Sequence, residues 1–389
     1  MTRIDVVEVL SEMVRIPSVE PTQAGDHAAE WGGEARMGRY VADFMERAGY
    51  RVEWQWVAEG RPNVICKGGA ENPERIWLVE GHMDTVGVEG MRYPPFEGAV
   101  REGRLWGRGA ADCKGPLAAG MVACAGADLE ALARKGEAIW FIGSMGEETG
   151  NNGARASLEV LPDRIWRTIA LEPTEAAVVH ASKGFAVLEV DIEGRSAHGS
   201  NPEVGLNAIY GAQVFTERLR ALCEREGERY GSELTGSPSV NLGLIRGGIA
   251  ANVVAPRCHL EFDWRTVPPE SISEVKEKIG ALLESMKEEG VILGWEMRQQ
   301  QNNEALWTSG DSGLVRELSA ALHVAGLAGR KAGVRWCCDA SIYCPRSEET
   351  VIFGPGSIRQ GHATEEFIDV DELRRGTEGL GRLWPRRAS

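Results

Sequence analysis

The sequence predicts an α/β fold, in which a mostly parallel sheet covered by helices on both faces is interrupted by a second, ferredoxin-like unit. Two patterns carry that expectation. Through the first half, and again after about residue 300, continuous apolar runs of strand length alternate with amphipathic or small-residue stretches, the pattern of strands buried on both faces. Between about residues 180 and 300 the runs instead alternate apolar and polar positions, in the order β-α-β-β-α-β.

In order along the chain, residues 38–49 read as a helix closed by a glycine. RIWLVE, at 75–80, is a strand-length apolar run, and 114–135 reads as one long helix of small residues. The runs AIWFI (138–142) and TIAL (168–171) are again buried strands. In the middle section, 185–192 alternates as a half-buried strand and 206–226 is helical. Strands at 239–245 and 252–266 flank a turn at Gly247 and Gly248, followed by a helix at 273–287 and a strand at 291–295. The α/β pattern then resumes with a helix at 312–325, a strand at 351–353 and a helix at 371–383. The expected organisation is therefore a discontinuous α/β domain, 1–179 with 301–389, and an inserted domain at 180–300.

With 389 residues, 43% hydrophobic and 26% charged, the chain has the composition of a globular protein. A formal net charge of -15, with no basic stripe, argues against a nucleic-acid partner. No apolar run approaches bilayer length. The opening MTRIDVVEVLSEMVRIPSVE, acidic within its first ten residues, does not read as a signal peptide. Eight scattered cysteines without CxxC spacing fit a reduced, cytoplasmic setting.

Three of the strand-like runs end in metal-ligand residue types. IWLVEGHMD ends in His82 and Asp84, AIWFIGSMGEE in Glu147 and Glu148, and TIALEP reaches Glu172. In open α/β sheets ligands gather at the carboxyl ends of strands, so these residues are expected to converge. Asp112 lies in the glycine-rich GRGAADCKG before a helix, and His362 in the loop GPGSIRQGHATEE after the run VIF. Two imidazoles with several carboxylates make a mixed N/O donor set that suits zinc, with cobalt and manganese as alternatives. Two metals about 3.5–4 Å apart can clamp both oxygens of a hydrolytic displacement. Taken singly, each residue reads as an ordinary solvated polar group; their joint placement at strand ends is what points to a metal site.

The ordered set GHMDTV, GRGAADCKGPLAAG, GEETGNNGA, ALEPTE, SAHGSNPEVGLNA and GHATEEFI resembles the M20 metallopeptidase and deacylase family, over nearly the whole chain. That family includes acetylornithine deacetylase, succinyl-diaminopimelate desuccinylase and glutamate carboxypeptidase. The resemblance implies two divalent metal ions bridged by Asp112, one completed by His82 and Glu172 and the other by Glu148 and His362. It implies that Asp84 orients His82, and that Glu147 is the general base on a metal-bridging water, later protonating the leaving amine. It implies a cis peptide between Asp112 and Cys113. The insert resembles a lid or dimerisation domain, with His198 donated to the partner subunit of a homodimer. Asn252 and Arg265, in NVVAPRCHLEFDWRTVP, match substrate-contacting positions, and an arginine fork suits a substrate carboxylate. Cys338, in Trp336-Cys337-Cys338-Asp339-Ala340, departs from the Cys-Thr-Glu-Ala form of acetylornithine deacetylases and is taken with Gly356 as a substrate contact. Glu at 172 is the deacylase and carboxypeptidase form; aminopeptidases of the family tend to carry Asp.

The expected activity is hydrolysis of the amide bond of a small N-acyl amino acid bearing a carboxylate. A carboxypeptidase or dipeptidase, and a hydrolytic deaminase of a small amine, share the same site chemistry. A cysteine nucleophile at Cys113 or Cys338, and a binding protein without catalysis, are the remaining readings.

Overall fold

The computed structural model describes residues 4–387. The chain divides into two compact units: Met1–His180 with Thr308–Ala332 and Cys338–Ser389, and Ala181–Trp307 with Gly333–Cys337. Among the described residues no helix is long and apolar enough to cross a membrane.

The first unit is built on an eight-stranded sheet. Its order is Arg51–Ala58, Arg61–Gly69, Glu137–Ser144, Arg75–His82, Ile165–Leu171, Ser347–Phe353, Val178–Ser182 and Lys331–Val334. The middle of the sheet is parallel. Arg75–His82 pairs in parallel with both Glu137–Ser144 and Ile165–Leu171, which in turn pairs in parallel with Ser347–Phe353. Every residue of Arg75–His82 except the first is buried, as a strand covered on both faces requires. The register is what builds a site: His82 lies opposite Ser144, and Phe353 opposite Leu171. Four strands thus end at one edge, and the segments carrying Glu147, Glu148, Glu172 and His362 leave from it.

The flanks are antiparallel, with Arg51–Ala58 and Arg61–Gly69 forming a hairpin that joins Glu137–Ser144. These two strands, the N-terminal helix Val6–Val14 and a small sheet of Ala99–Arg101, Arg104–Trp106 and Phe367–Asp369 are not anticipated by the sequence pattern. The helix expected at 114–135 is two helices, Lys114–Ala125 and Leu129–Ala133. Gly126 closes the first, and the Asp128 side chain accepts the N–H of Ala131 at 2.9 Å to start the second; an aspartate that caps competes with helix continuation. Lys114–Ala125 lies close to the sheet: a Cβ on Gly120 would stand 2.4 Å from Leu171 Cδ1, so any larger residue there would have to displace the Leu171 side chain. That close approach seats the N-terminal end of the helix, just after Asp112, at the strand edge.

The second unit is a four-stranded antiparallel sheet in the order Ser239–Gly247, Arg257–Arg265, Phe185–Glu193 and Gly294–Asn303. Its helices are Ala208–Tyr230 and Ile272–Glu288, giving the β-α-β-β-α-β order. The sheet buries alternate residues of Phe185–Glu193 and Arg257–Arg265 against them. Two boundaries depart from the sequence reading. The third strand begins at Arg257 rather than 252, because Pro256 has no N–H for the ladder. The last strand runs Gly294–Asn303 rather than 291–295; its polar sequence marks an edge strand with a solvated face, which a search for apolar runs passes over.

Candidate metal centre

Seven of the predicted residues come together at the strand edge of the first unit. His82 Nε2 lies 3.2 Å from Asp112 Oδ1 and 3.9 Å from Glu172 Oε1. On the other side His362 Nε2 lies 3.6 Å from Asp112 Oδ2 and 2.9 Å from Glu148 Oε2. The two oxygens of Asp112 therefore face two different sets of donors. His82, Asp112, Cys113 and Glu172 form one set, and Asp112, Glu148 and His362 the other, each with its donor atoms within 4.8 Å of one another. The peptide bond between Asp112 and Cys113 is cis.

A layer of hydrogen bonds fixes these side chains. His82 Nδ1 stands 3.3 Å from Asp84 Oδ1 and 3.0 Å from the Asp84 carbonyl oxygen. The Asp84 carboxylate also accepts the backbone N–H groups of Glu147 and Glu148, each at 3.2 Å. Asp84 thus ties the end of one strand to the loop leaving its neighbour. Glu366, absent from the sequence expectations, accepts from the backbone of Gly109, Ala111 and Asp112 and from Arg108 Nη1. Its signal was the glycine-rich loop itself, whose converging N–H groups call for an anion. Asn151, Asp339 and Glu80 were also missed. They form a buried polar chain under Glu147, and no apolar periodicity announces such a chain.

The donor set fits divalent cations on three counts. Glu148 Oε1 is buried with no hydrogen-bond partner among the described residues, and buried polar atoms are rarely left so. Burial pushes the carboxyls of Glu147, Glu148 and Glu172 above the usual carboxylate range, and neighbouring carboxylates push them further, against the opposing pull of the histidines. Bound cations are the natural balance for so much negative charge in one place. Third, the donors are imidazole and carboxylate, and the thiol of Cys113 is engaged, donating to the Leu171 carbonyl at 2.8 Å. Burial pushes the thiols of Cys113 and Cys338 well above their ordinary value, the opposite of an activated cysteine nucleophile. A further group, Glu189, His259 and Glu261 on the second unit's sheet, is already served by a cation, since Arg298 Nε pairs with Glu189 at 3.1 Å.

The remaining predicted residues divide between the two units. Cys338 is buried in the first unit. Gly356 takes a φ of 96°, its N–H donating to Glu372 Oε1 at 2.8 Å while its carbonyl accepts from Glu175 N. In the second unit His198 is exposed, with Nδ1 at 2.7 Å from Ser200 Oγ. Asn252 is close to it, its carbonyl accepting the N–H of Gly199 at 2.8 Å. Arg265 ends its strand, its Nε donating to Asp263 Oδ2 at 2.8 Å and its guanidinium 5.1 Å from the Phe185 ring.

Fold and sequence relatives together define a metal-dependent amide hydrolase. The chain belongs to peptidase family M20/M25/M40, which matches residues 78–386. An acetylornithine deacetylase of Proteus mirabilis is 30% identical over 390 residues, covering 97% of this chain and 95% of that protein. An acetylornithine deacetylase of Myxococcus xanthus is 28% identical over 392 residues, covering 98% and 95%. Among solved structures, an aminopeptidase from Bacillus cereus superposes with a TM-score of 0.73 at 20% identity, covering 97% of each chain. A dinuclear metal binding peptidase of the M20 family from Bacillus subtilis superposes at 0.67 and 14% identity, covering 97% of this chain and 96% of that one. At those identities the structural likeness speaks for the fold.

Proposed function

We propose that this hydrolase removes the acyl group from a small N-acyl amino acid, with two divalent metal ions held about Asp112. The observation that carries the reading is the two-sided Asp112, with His82 and Glu172 toward one oxygen and His362 and Glu148 toward the other. The near full-length relatives named acetylornithine deacetylase favour a deacylase over a peptidase.

In this reading His82, Asp112 and Glu172 would hold one ion, and Asp112, Glu148 and His362 the other, zinc first with cobalt or manganese as alternatives. Bound there, such ions would supply Lewis acidity to the amide carbonyl and ease the deprotonation of water. Asp84 accepts from His82 Nδ1–H, which leaves Nε2 as the lone-pair nitrogen on the Asp112 side. The Glu147 carboxylate takes a proton from the attacking water as the new C–O bond forms. It returns that proton to the amide nitrogen as the C–N bond breaks, releasing a carboxylate and an amine. Arg265, Asn252, Cys338 and Gly356 are assigned to substrate contact and His198 to stabilising the developing oxyanion. The assembly is assigned as a homodimer.

The test is a hydrolysis screen of N-acetyl and N-succinyl amino acids, dipeptides and aromatic amines, with enzyme loaded in turn with zinc, cobalt and manganese. N-acyl amino acids should be the best substrates. Faster turnover of dipeptides would replace the reading with a dipeptidase, and faster turnover of an amine with a deaminase.

A further inference from the structure

We propose that Asn151 is the positioning residue for Glu147, holding one oxygen of its carboxylate through an amide that is itself anchored on Asp339. The inference rests on Glu147 as the proton carrier and adds what aims it.

Asn151 stands at the cap of the helix Asn152–Ser157, a position where an asparagine side chain ordinarily accepts a helix N–H; here it makes no cap bond. Its side-chain nitrogen points elsewhere. Nδ2 donates to Glu147 Oε1 at 3.2 Å and to Asp339 Oδ1 at 2.8 Å. An amide NH2 has two hydrogens to give, and both go to carboxylates. Asp339 is held in turn from its other oxygen. Ser144 Oγ lies 3.2 Å from Asp339 Oδ2 and 2.6 Å from Glu80 Oε1. All four of these supporting residues, Asn151, Asp339, Ser144 and Glu80, are buried. The chain of contacts runs from the reacting carboxylate down into the ends of the buried, doubly paired strands Arg75–His82 and Glu137–Ser144.

The chemistry of the tether matters as much as its geometry. A lysine or arginine here would pair with Glu147 and weaken it as a base. A neutral amide orients the carboxylate while leaving its charge in place. It engages Oε1 and leaves Oε2 without a protein partner among the described residues, so that one oxygen is fixed and the other is presented. A glutamate on a half-exposed loop has three rotatable bonds to order, and a displacement of about 1 Å at a reacting group can cost about 10²-fold. The residue type is also set by the backbone. Asn151 has a φ of 60°, a conformation that asparagine tolerates and most side chains do not.

The experiment uses the full-length, metal-loaded enzyme with the best substrate of the screen. Asn151→Gly keeps the backbone conformation and removes the amide; Asp339→Ala removes its anchor; the double variant closes a cycle. Expected is a fall in kcat on the order of tenfold to hundredfold for each single variant, with KM and metal content unchanged. The double variant should be no worse than the worse single, and Asp339→Asn, which keeps an acceptor oxygen, should recover part of what Asp339→Ala loses. Asn151→Asp sets a third negative charge between two carboxylates and should lose kcat at least as severely as Asn151→Gly. A kcat within about twofold of wild type for Asn151→Gly overturns the proposal. So do multiplicative losses in the double variant, or a loss of metal or melting temperature that accounts for the activity lost. Glu147→Gln run alongside separates the two levels. If it is inactive while Asn151→Gly is not, only the tether is wrong; if Glu147→Gln turns over normally, the underlying assignment of Glu147 fails.

Discussion

Glu366 Oε1 accepts the backbone N–H of Asp112 at 3.0 Å. The carboxylate that faces both donor sets is thus held from behind by a second, fully buried carboxylate. Glu366 also takes the N–H groups of Gly109 and Ala111 and pairs with Arg108 Nη1 at 2.7 Å, so the whole turn Arg108–Asp112 is wrapped around one anion. Glu366→Gln keeps the shape but sets an NH2 against a ring of donors. Outer partners of metal ligands are worth roughly 10–100-fold in metal affinity, and a loss of that size is expected in competition with a chromophoric chelator. Wild-type affinity in Glu366→Gln would show that the turn holds Asp112 without it.

Metal removal should be felt in stability as well as rate. Burial and mutual repulsion raise the carboxyls of Glu147, Glu148 and Glu172, a cost that bound cations relieve and chelation restores. Stripped protein should lose turnover and melt at a lower temperature, and both should return on adding zinc, cobalt or manganese. Elemental analysis should find up to two ions per chain. Full-rate hydrolysis by protein shown to be metal-free would refute the metal centre.

What the sequence revealed of this site was what sits at the ends of strongly apolar strands. His82, Glu147, Glu148 and Glu172 are legible because the runs before them are buried on both faces and cannot be anything but interior strands. The supports are not legible, for a physical reason. Glu366 and Asp339 act through hydrogen bonds to partners 254 and 188 residues away, and nothing in local periodicity encodes such pairings. The strand Arg51–Ala58 is not expected from the sequence, and the last strand of the second unit is expected at 291–295 rather than Gly294–Asn303, because each lies at a sheet edge with many side chains in solvent and shows no continuous apolar run over its length.

Glu147→Gln should separate chemistry from binding. Glutamine is nearly isosteric and still accepts from Asn151, but cannot take a proton from water. General base assistance is worth about 10²–10⁴-fold, and kcat should fall by at least that factor with metal content unchanged. Turnover near wild type would remove Glu147 from the mechanism.

Glu270, in the second unit, gives that unit a pH-dependent stability. Burial pushes its carboxyl up to about 7 from 4.5, and its Oε1 has no hydrogen-bond partner among the described residues. The folded state therefore binds this proton more tightly than the unfolded chain does. Its contribution is complete below the unfolded value of about 4.5 and is lost as pH rises through about 7. Glu270→Gln, which never ionises, should melt higher than wild type at about pH 8 and alike at about pH 4, a difference worth at most on the order of 3 kcal/mol. Equal melting temperatures at both pH values would mean the carboxyl ionises in the folded protein without cost.

Substrate selection should turn on Arg265. Its Nε is committed to Asp263 at 2.8 Å, which fixes the plane of the guanidinium and leaves both terminal nitrogens, without protein partners among the described residues, to meet a carboxylate end-on. Phe185 lies 5.1 Å from the guanidinium carbon and limits its swing further. A fork held in this way recognises a planar anion far better than a mobile ammonium does. Arg265→Ala should accordingly raise KM by about ten- to a hundredfold for an N-acyl amino acid, since a charge-assisted pair is worth roughly 1.5–3 kcal/mol. Arg265→Lys should not restore it, because one point charge cannot reproduce two parallel donors. The discriminating measurement is the amidated substrate, which lacks the carboxylate: it should be a poor substrate for wild type and for Arg265→Ala alike, with KM values that no longer differ. If wild type turns over acid and amide equally, the arginine is only the partner of Asp263, and the substrate need not carry a carboxylate at all.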